Sequence, residues 1–206
     1  SSSVRLEDIE VDPENRLLAR GPRYRLSAEM VRDQALAVSG LLVERRGGPS
    51  VKPYQPPGLW SEVSLNPGVK FTKDAGPNQY RRSLYTYWKR SSPPPMMLIF
   101  DAPSREKCSV RRSRTNTPLQ ALVLMNDPQF LEAARGMAER LLLTEGLNET
   151  SRLELAYQWV TARKPQAAVL EVLLDQLSGQ RSHYQDRTDA ATELLAHGDS
   201  PRNESL

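Results

Sequence analysis

The sequence predicts a mainly α protein, a helical bundle with long irregular loops and at most a small two-stranded element. Three observations carry this expectation. Apolar residues recur at spacings of three and four in one early segment and through most of the C-terminal half. Pro-started helix signals, Thr117-Pro118 and Asn126-Asp127-Pro128, stand directly ahead of two of those runs. The 16 prolines and 11 glycines of the 206-residue chain crowd into its first two thirds, where they interrupt any long periodic element.

Taken in order, residues 1–26 read as extended or irregular, with Asp12-Pro13-Glu14-Asn15 as a turn or short helix start. Ser27 is a good N-cap, and Glu29 complements the positive end of the helix that follows. Val31, Ala35, Val38 and Leu42 form one apolar stripe, so a helix is predicted over 28–43, stopped by Gly47-Gly48-Pro49. Residues 49–76 are predicted as loop with one short helix around 59–63, packed by Tyr54, Trp60 and Phe71. Residues 82–89 alternate, with Leu84, Thr86 and Trp88 on one side and Ser83, Tyr85, Tyr87 and Lys89 on the other, which predicts a strand. Pro93-Pro94-Pro95 ends it in polyproline II, and residues 96–100 read as a second brief strand.

Helices then follow in close order. One opens at Thr117-Pro118 with Leu119, Leu122 and Val123 inward. The next carries Phe130, Ala134, Met137 and Leu141 and is closed by Gly146. Thr150 caps a third, with Leu153, Ala156 and Val160 inward. A longer one from Pro165 carries Leu170, Leu173, Leu174 and Leu177, and a last short one spans about 189–196. Short links make consecutive helices antiparallel neighbours. The expected organisation is one domain over 1–206: a helix at 28–43, a Pro/Gly-rich basic-aromatic loop region at 49–116, and a helical bundle at 117–198. The missing initiator Met and the open final phrase from Ser200 to Leu206 read as a piece of a longer protein.

Composition excludes several functions. Cys108 is the only cysteine, so no intrachain disulfide and no multi-thiolate metal site can form. His183 and His197 are too few for a zinc or haem site, there is no CxxCH motif, and no cofactor or metal is expected in this stretch. No apolar run approaches 18 residues, so no membrane span is expected. No nucleophile–base set or phosphate loop is present, so no catalytic residue is assigned. Cys108 beside Lys107, Arg111 and Arg112 reads as a structural cysteine, and Asp101 and Glu106 as ion-pair partners rather than an acid/base pair.

Charge is segregated. Between Arg81 and Arg114 nine Lys/Arg face two acids, Asp101 and Glu106, a local net of +7 in a chain of net +3. Residues 127–206 carry 13 acids and 8 bases, net −5. Two readings stay open. The arginines pair with acids of the helical half, Glu132 or Glu139 among them, and the aromatics are core. Alternatively the block is an anion site, with Arg105, Arg111, Arg112, Arg114 and Asn116 as donors, Tyr85 or Tyr87 as a wall, and free backbone N–H groups at the Thr117 helix start. A sulfated or carboxylated polysaccharide suits that second reading better than nucleic acid, for which no recognition helix or RNA motif is present.

Several phrases carry a resemblance: Thr115-Asn116-Thr117-Pro118-Leu119-Gln120-Ala121-Leu122, Asn126-Asp127-Pro128-Gln129-Phe130, Asp12-Pro13-Glu14-Asn15-Arg16-Leu17-Leu18, Arg81-Arg82-Ser83-Leu84-Tyr85 and Phe100-Asp101-Ala102-Pro103-Ser104-Arg105. In these the chain resembles the conserved domain of unknown function found in planctomycetes and related bacteria. There it lies C-terminal to a cytochrome-c-like domain and a second planctomycete-specific domain. The resemblance covers nearly the whole chain. It implies a large exported or periplasmic protein from genomes rich in sulfatases and polysaccharide-degrading enzymes, with the parent chain's other domains as partners, and no established activity. The function expected first is a non-catalytic structural or interaction module, with anion binding through residues 81–116 as the alternative.

Overall fold

In the computed structural model the element that organises the chain is α2 (Ala28–Ser39), and the reason lies in its two faces. Arg32, Leu36 and Ser39 are fully buried on one, while Val31, Ala35 and Val38 are half-buried on the next. Ser27 caps the helix by accepting from the Met30 N–H, as expected. The helix ends earlier than the predicted 43, at Gly40. With φ +79°, Gly40 adopts the left-handed geometry of a helix stop, and the Leu41 and Leu42 N–H groups turn back to the Leu36 carbonyl. Residues 6–21, 24–63, 68 and 70–206 are described.

The structure is mainly α, as predicted. Around α2 stand α4 (Pro95–Ile99), α5 (Pro118–Asn126), α6 (Pro128–Leu143) and α7 (Glu149–Thr161), with α8 (Ala167–Gln185) and α9 (Thr188–Leu195) continuing beyond. A short α1 (Leu6–Val11) lies within the stretch expected to be irregular, and α3 (Leu59–Glu62) is the brief helix foreseen in the loop region. The predicted caps shift slightly: Asn148 rather than Thr150 caps α7, α6 ends at Leu143 before Gly146, and α8 begins at Ala167. The main packing is α2 against α6, with α5 and α7 flanking α6. Ala28, Met96, Met97, Phe100 and Phe130 form the core, and the Phe100 and Phe130 rings meet edge to face at 6.3 Å. Each of the buried Met and Phe side chains contributes about 1.5–3 kcal/mol. Helices α7, α8 and α9 hold no fully buried residue.

Both expected strands are corrected. The segment instead forms α4 over residues 95–99: Pro95 occupies its first turn, where no N–H is needed, and Met96, Met97 and Leu98, none of them β-branched, favour helix. Residues 82–89 hold a 3-10 turn at Ser83–Tyr85, and the described residues form only isolated bridges, Val43 with Arg81, Val51 with Thr86 and Lys89 with Ser92. The alternation is therefore broken: Ser83 and Thr86, predicted on opposite sides, are both buried, while Leu84 is 67% exposed. The cause is polar. Asp33 accepts from the Ser83 N–H at 2.7 Å, and Arg32 donates to Ser83 Oγ, so α2 captures the turn at Ser83.

Arg32 is the centre of this capture. Its guanidinium, 2% exposed, donates to the Gln79 and Arg81 carbonyls, Ser83 Oγ and Gln129 Oε1 of α6. Burial lowers its pKa to about 10, partly offset by Asp33 and Asp127, and leaves it cationic at neutral pH. Arg81, fully buried, repeats the device one layer out. It donates to the Arg45, Gly47 and Pro49 carbonyls and stacks on Tyr85 at 4.0 Å. The loop region is thus threaded onto α2 through two guanidinium groups, and Trp60, packed on Phe71 at 5.3 Å and Tyr87 at 5.8 Å, closes its outer part.

Two predictions follow from these contacts. Arg32→Met should cost about 3–5 kcal/mol, because it leaves buried acceptors unmatched. A urea midpoint change equivalent to under about 1 kcal/mol would show that the clamp is dispensable. Gly198, at φ +92°, lies so close to Glu132 that an added Cβ would come within 2.6 Å of three of its side-chain carbons. Gly198→Ala should therefore release residues 199–206 from α6, seen as faster proteolytic trimming of the C-terminus, while equal trimming rates would contradict that packing.

Candidate functional site

The basic block is positioned by one glutamine. Thr117 caps α5 in a reciprocal capping box with Gln120, which is only 3% exposed. Gln120 Nε2 also donates to the Ile99 carbonyl at 2.9 Å and to Thr115 Oγ1 at 3.1 Å, while its Oε1 accepts from Arg25 at 3.3 Å. Asp101, in the left-handed region at φ +62°, accepts from the Thr115 N–H at 2.6 Å and from its hydroxyl. Residues 112–115 are thereby fixed against the end of α4.

Behind them lies a hollow of about 470 Å³. Its wall is Val31, Ala35 and Val38 of α2, Phe130, Ala133, Ala134 and Met137 of α6, and Val160 of α7. Small side chains at 35, 133 and 134 are what leave the space between helices. The α2 stripe read as core in the sequence thus lines a cavity. Arg25, Arg112, Ser113, Arg114, Thr115 and Gln120 supply its polar groups.

The predicted site residues are distributed unevenly. Arg112 and Arg114 stand at this hollow. Arg112 pairs with Glu29 at 2.9 Å, and Arg114 stacks on Tyr24 at 4.5 Å. Glu29 is held below the usual carboxylate range: burial works to raise it, and its own backbone N–H and Arg112 outweigh that. Arg111 is exposed beside them on the outer, open face. Asn116 is exposed ahead of α5. Arg105 lies over Trp88 at 4.4 Å. Tyr85 and Tyr87 are elsewhere, Tyr85 under Arg81 with its hydroxyl accepting from Gly47, and Tyr87 beside Trp60. They form no wall to the hollow; Tyr24 is the aromatic at its arginines.

Other expectations also change. Leu119 and Leu122 of α5 face solvent, 53% and 54% exposed, because the inward position belongs to Gln120. At the α5 start the Thr117 and Gln120 N–H groups are taken by the capping box and Pro118 has none. Cys108 is exposed rather than structural. The signal that pointed to Gln120 was present in the sequence as Thr117-x-x-Gln120, a capping-box pattern. Nothing in composition pointed to Tyr24 or Arg25.

A second, polar hollow of about 220 Å³ lies between α2, α6 and the C-terminal segment. Buried Glu132 accepts from the Tyr80 hydroxyl at 2.8 Å and from the Asp199 and Ser200 N–H groups, rather than from an arginine. Asp199 accepts from Lys73 and Gln79, both at 2.6 Å, and the Lys73 bond is the main cause that lowers its pKa. Glu139 pairs with Arg135 at 3.8 Å. These acids therefore fasten the C-terminal segment, and the basic block is left outside their network. Among the described residues no three His, Cys, Asp or Glu side chains are grouped to hold a metal, and no helix is long and apolar enough to cross a membrane.

Fold and site together define a mainly α domain with a cation-rimmed apolar hollow. Residues 1–177 match the family described as PSD1, protein of unknown function (DUF1553), and the chain belongs to that family. No curated protein and no solved structure matches it.

The Glu132 network has a pH signature. Tyr80 is raised well above the ordinary tyrosine range, first by burial and then by its bond to Glu132. The folded chain holds this proton more tightly than the unfolded chain, in which tyrosine titrates near about 10. The stabilisation is therefore complete below about pH 10 and is lost as pH rises past it. Tyr80→Phe should be about 1–2 kcal/mol less stable than the parent at pH 8, with the gap narrowing above about pH 10. A gap constant with pH in urea titrations would contradict this coupling.

Proposed function

We propose that this chain is a non-catalytic interaction module of a larger, extracytoplasmic multidomain protein, and that it engages anionic ligands through residues 105–116. One observation carries the anion-binding part. Arg105, Arg111, Arg112 and Arg114 all keep solvent-facing positions, and among the described residues only Arg112 has a carboxylate partner. The alternative in which these arginines are consumed by Glu132 and Glu139 is disfavoured, because those acids take Tyr80, Arg135 and backbone donors instead. Stacking on Trp88 and Tyr24 fixes two guanidinium planes while leaving their N–H edges outward for carboxylate or sulfate oxygens. The exposed apolar face of α5, Leu119, Leu122 and Met125, supports contact with the parent chain's other domains. The extracytoplasmic setting rests on the resemblance alone.

Chromatography on an immobilised sulfated polysaccharide tests the anion site. The parent chain should be retained, and Arg111→Ala/Arg112→Ala/Arg114→Ala should elute at clearly lower salt. At about 0.5–1 kcal/mol per exposed arginine, affinity falls roughly tenfold or more. Unchanged elution would leave only the structural role.

A further inference from the structure

The hollow behind the arginines is built for something other than a sugar. We infer, resting on the anion-binding reading, that this site takes an amphiphile: an alkyl chain in the hollow with a single carboxylate or sulfate head at Arg112 and Arg114. The volume of about 470 Å³ is that of a small-molecule pocket. Its body is apolar, from Val31, Ala35, Val38, Phe130, Met137 and Val160. An apolar concavity of this size accepts an apolar guest.

The polar groups gather together. Arg25 donates to Gln120, Gln120 donates to Thr115, and Thr115 donates to Asp101, so four polar lining residues form one linked cluster, with Arg112, Ser113 and Arg114 next to Thr115 in the chain. Gln34, on the helical wall, is already bonded to the Val160 carbonyl at 2.5 Å. The cluster's carboxylate, Asp101, is engaged by Thr115, and Glu29 is engaged by Arg112. Arg114 has no carboxylate partner among the described residues and rests on Tyr24 alone. The excess charge at the mouth is positive. A polysaccharide has no apolar body to fill the helical gap, and Tyr85 and Tyr87, the rings that would stack on sugar faces, lie outside the hollow.

Calorimetric titration of the chain with octanoate, decanoate and dodecanoate, each below its micelle concentration, reads this directly, with decanol and dextran sulfate alongside. Two added methylenes should tighten binding roughly tenfold. Ala134→Trp, and independently Val38→Phe, should abolish decanoate binding and spare dextran sulfate. Arg112→Gln/Arg114→Gln should weaken both ligands and bring decanoate down to the level of decanol. Dextran sulfate binding with no chain-length dependence for the carboxylates would overturn the amphiphile while sustaining the anion site. Failure of both ligands would overturn both. A dimer that Ala134→Trp dissociates and saturating decanoate does not would assign the hollow to a second copy of the chain, which also overturns the inference.

Discussion

A guanidinium group that keeps its charge where water does not reach has to be surrounded by oxygen, and Arg32 meets that demand with pieces of chain far apart in sequence. Its acceptors come from residues 79–83 and from Gln129 at the start of α6. Any arrangement that pulls one away leaves a buried cation short of partners, at a cost of several kcal/mol. The register of α2 on α6 and the course of the loop are therefore set together. The core around Phe100 and Phe130 supplies cohesion without direction; Arg32 supplies the direction.

The same side-chain chemistry produces the opposite result at the basic block. Arg105 and Arg114 are held by aromatic rings at 4.4 and 4.5 Å, contacts worth about 0.5–1 kcal/mol at exposed sites. A ring restrains the guanidinium plane and competes for none of its N–H groups. A buried carbonyl cage restrains it by consuming them. Arg81, on the inner side of the loop, adds the carbonyl cage to a ring, Tyr85, although nothing in the local charge count separates it from Arg105. Segregation of the acids into Tyr80, Lys73 and backbone contacts around Glu132 and Asp199 completes the separation.

Helices were legible wherever periodicity and caps agreed, as at Ser27, Thr117 and Asp127. Reading failed where a polar tertiary contact outweighed the pattern. Alternation from Ser83 to Trp88 is a sound local strand signal, yet it carries no trace of an arginine 51 residues upstream that takes the serine. Leu119 and Leu122 form an apolar stripe that periodicity turns inward, while the buried position is held by Gln120, whose amide bonds three separate segments. At the candidate site the cluster of arginines was visible as composition. Its division into an outward group and an inward anchor was not, because that depends on which carbonyls the fold brings near. The hollow had no sequence signature, since an alanine that leaves space and an alanine that fills it are written alike.

Arg81 also bears on how this family's sequences drift. Its three acceptors are main-chain carbonyls of Arg45, Gly47 and Pro49, and every amino acid supplies a carbonyl. The side chains of Arg45 and Pro49 are free to change provided the loop's path survives, Gly47 is held to glycine by its φ of +71°, and no other residue can replace the five-donor fork in the middle. Related chains should therefore keep this arginine, and the glycine at 47, amid side chains that vary. To a reader of the alignment alone, such an island of constancy on a featureless loop would look like a catalytic residue.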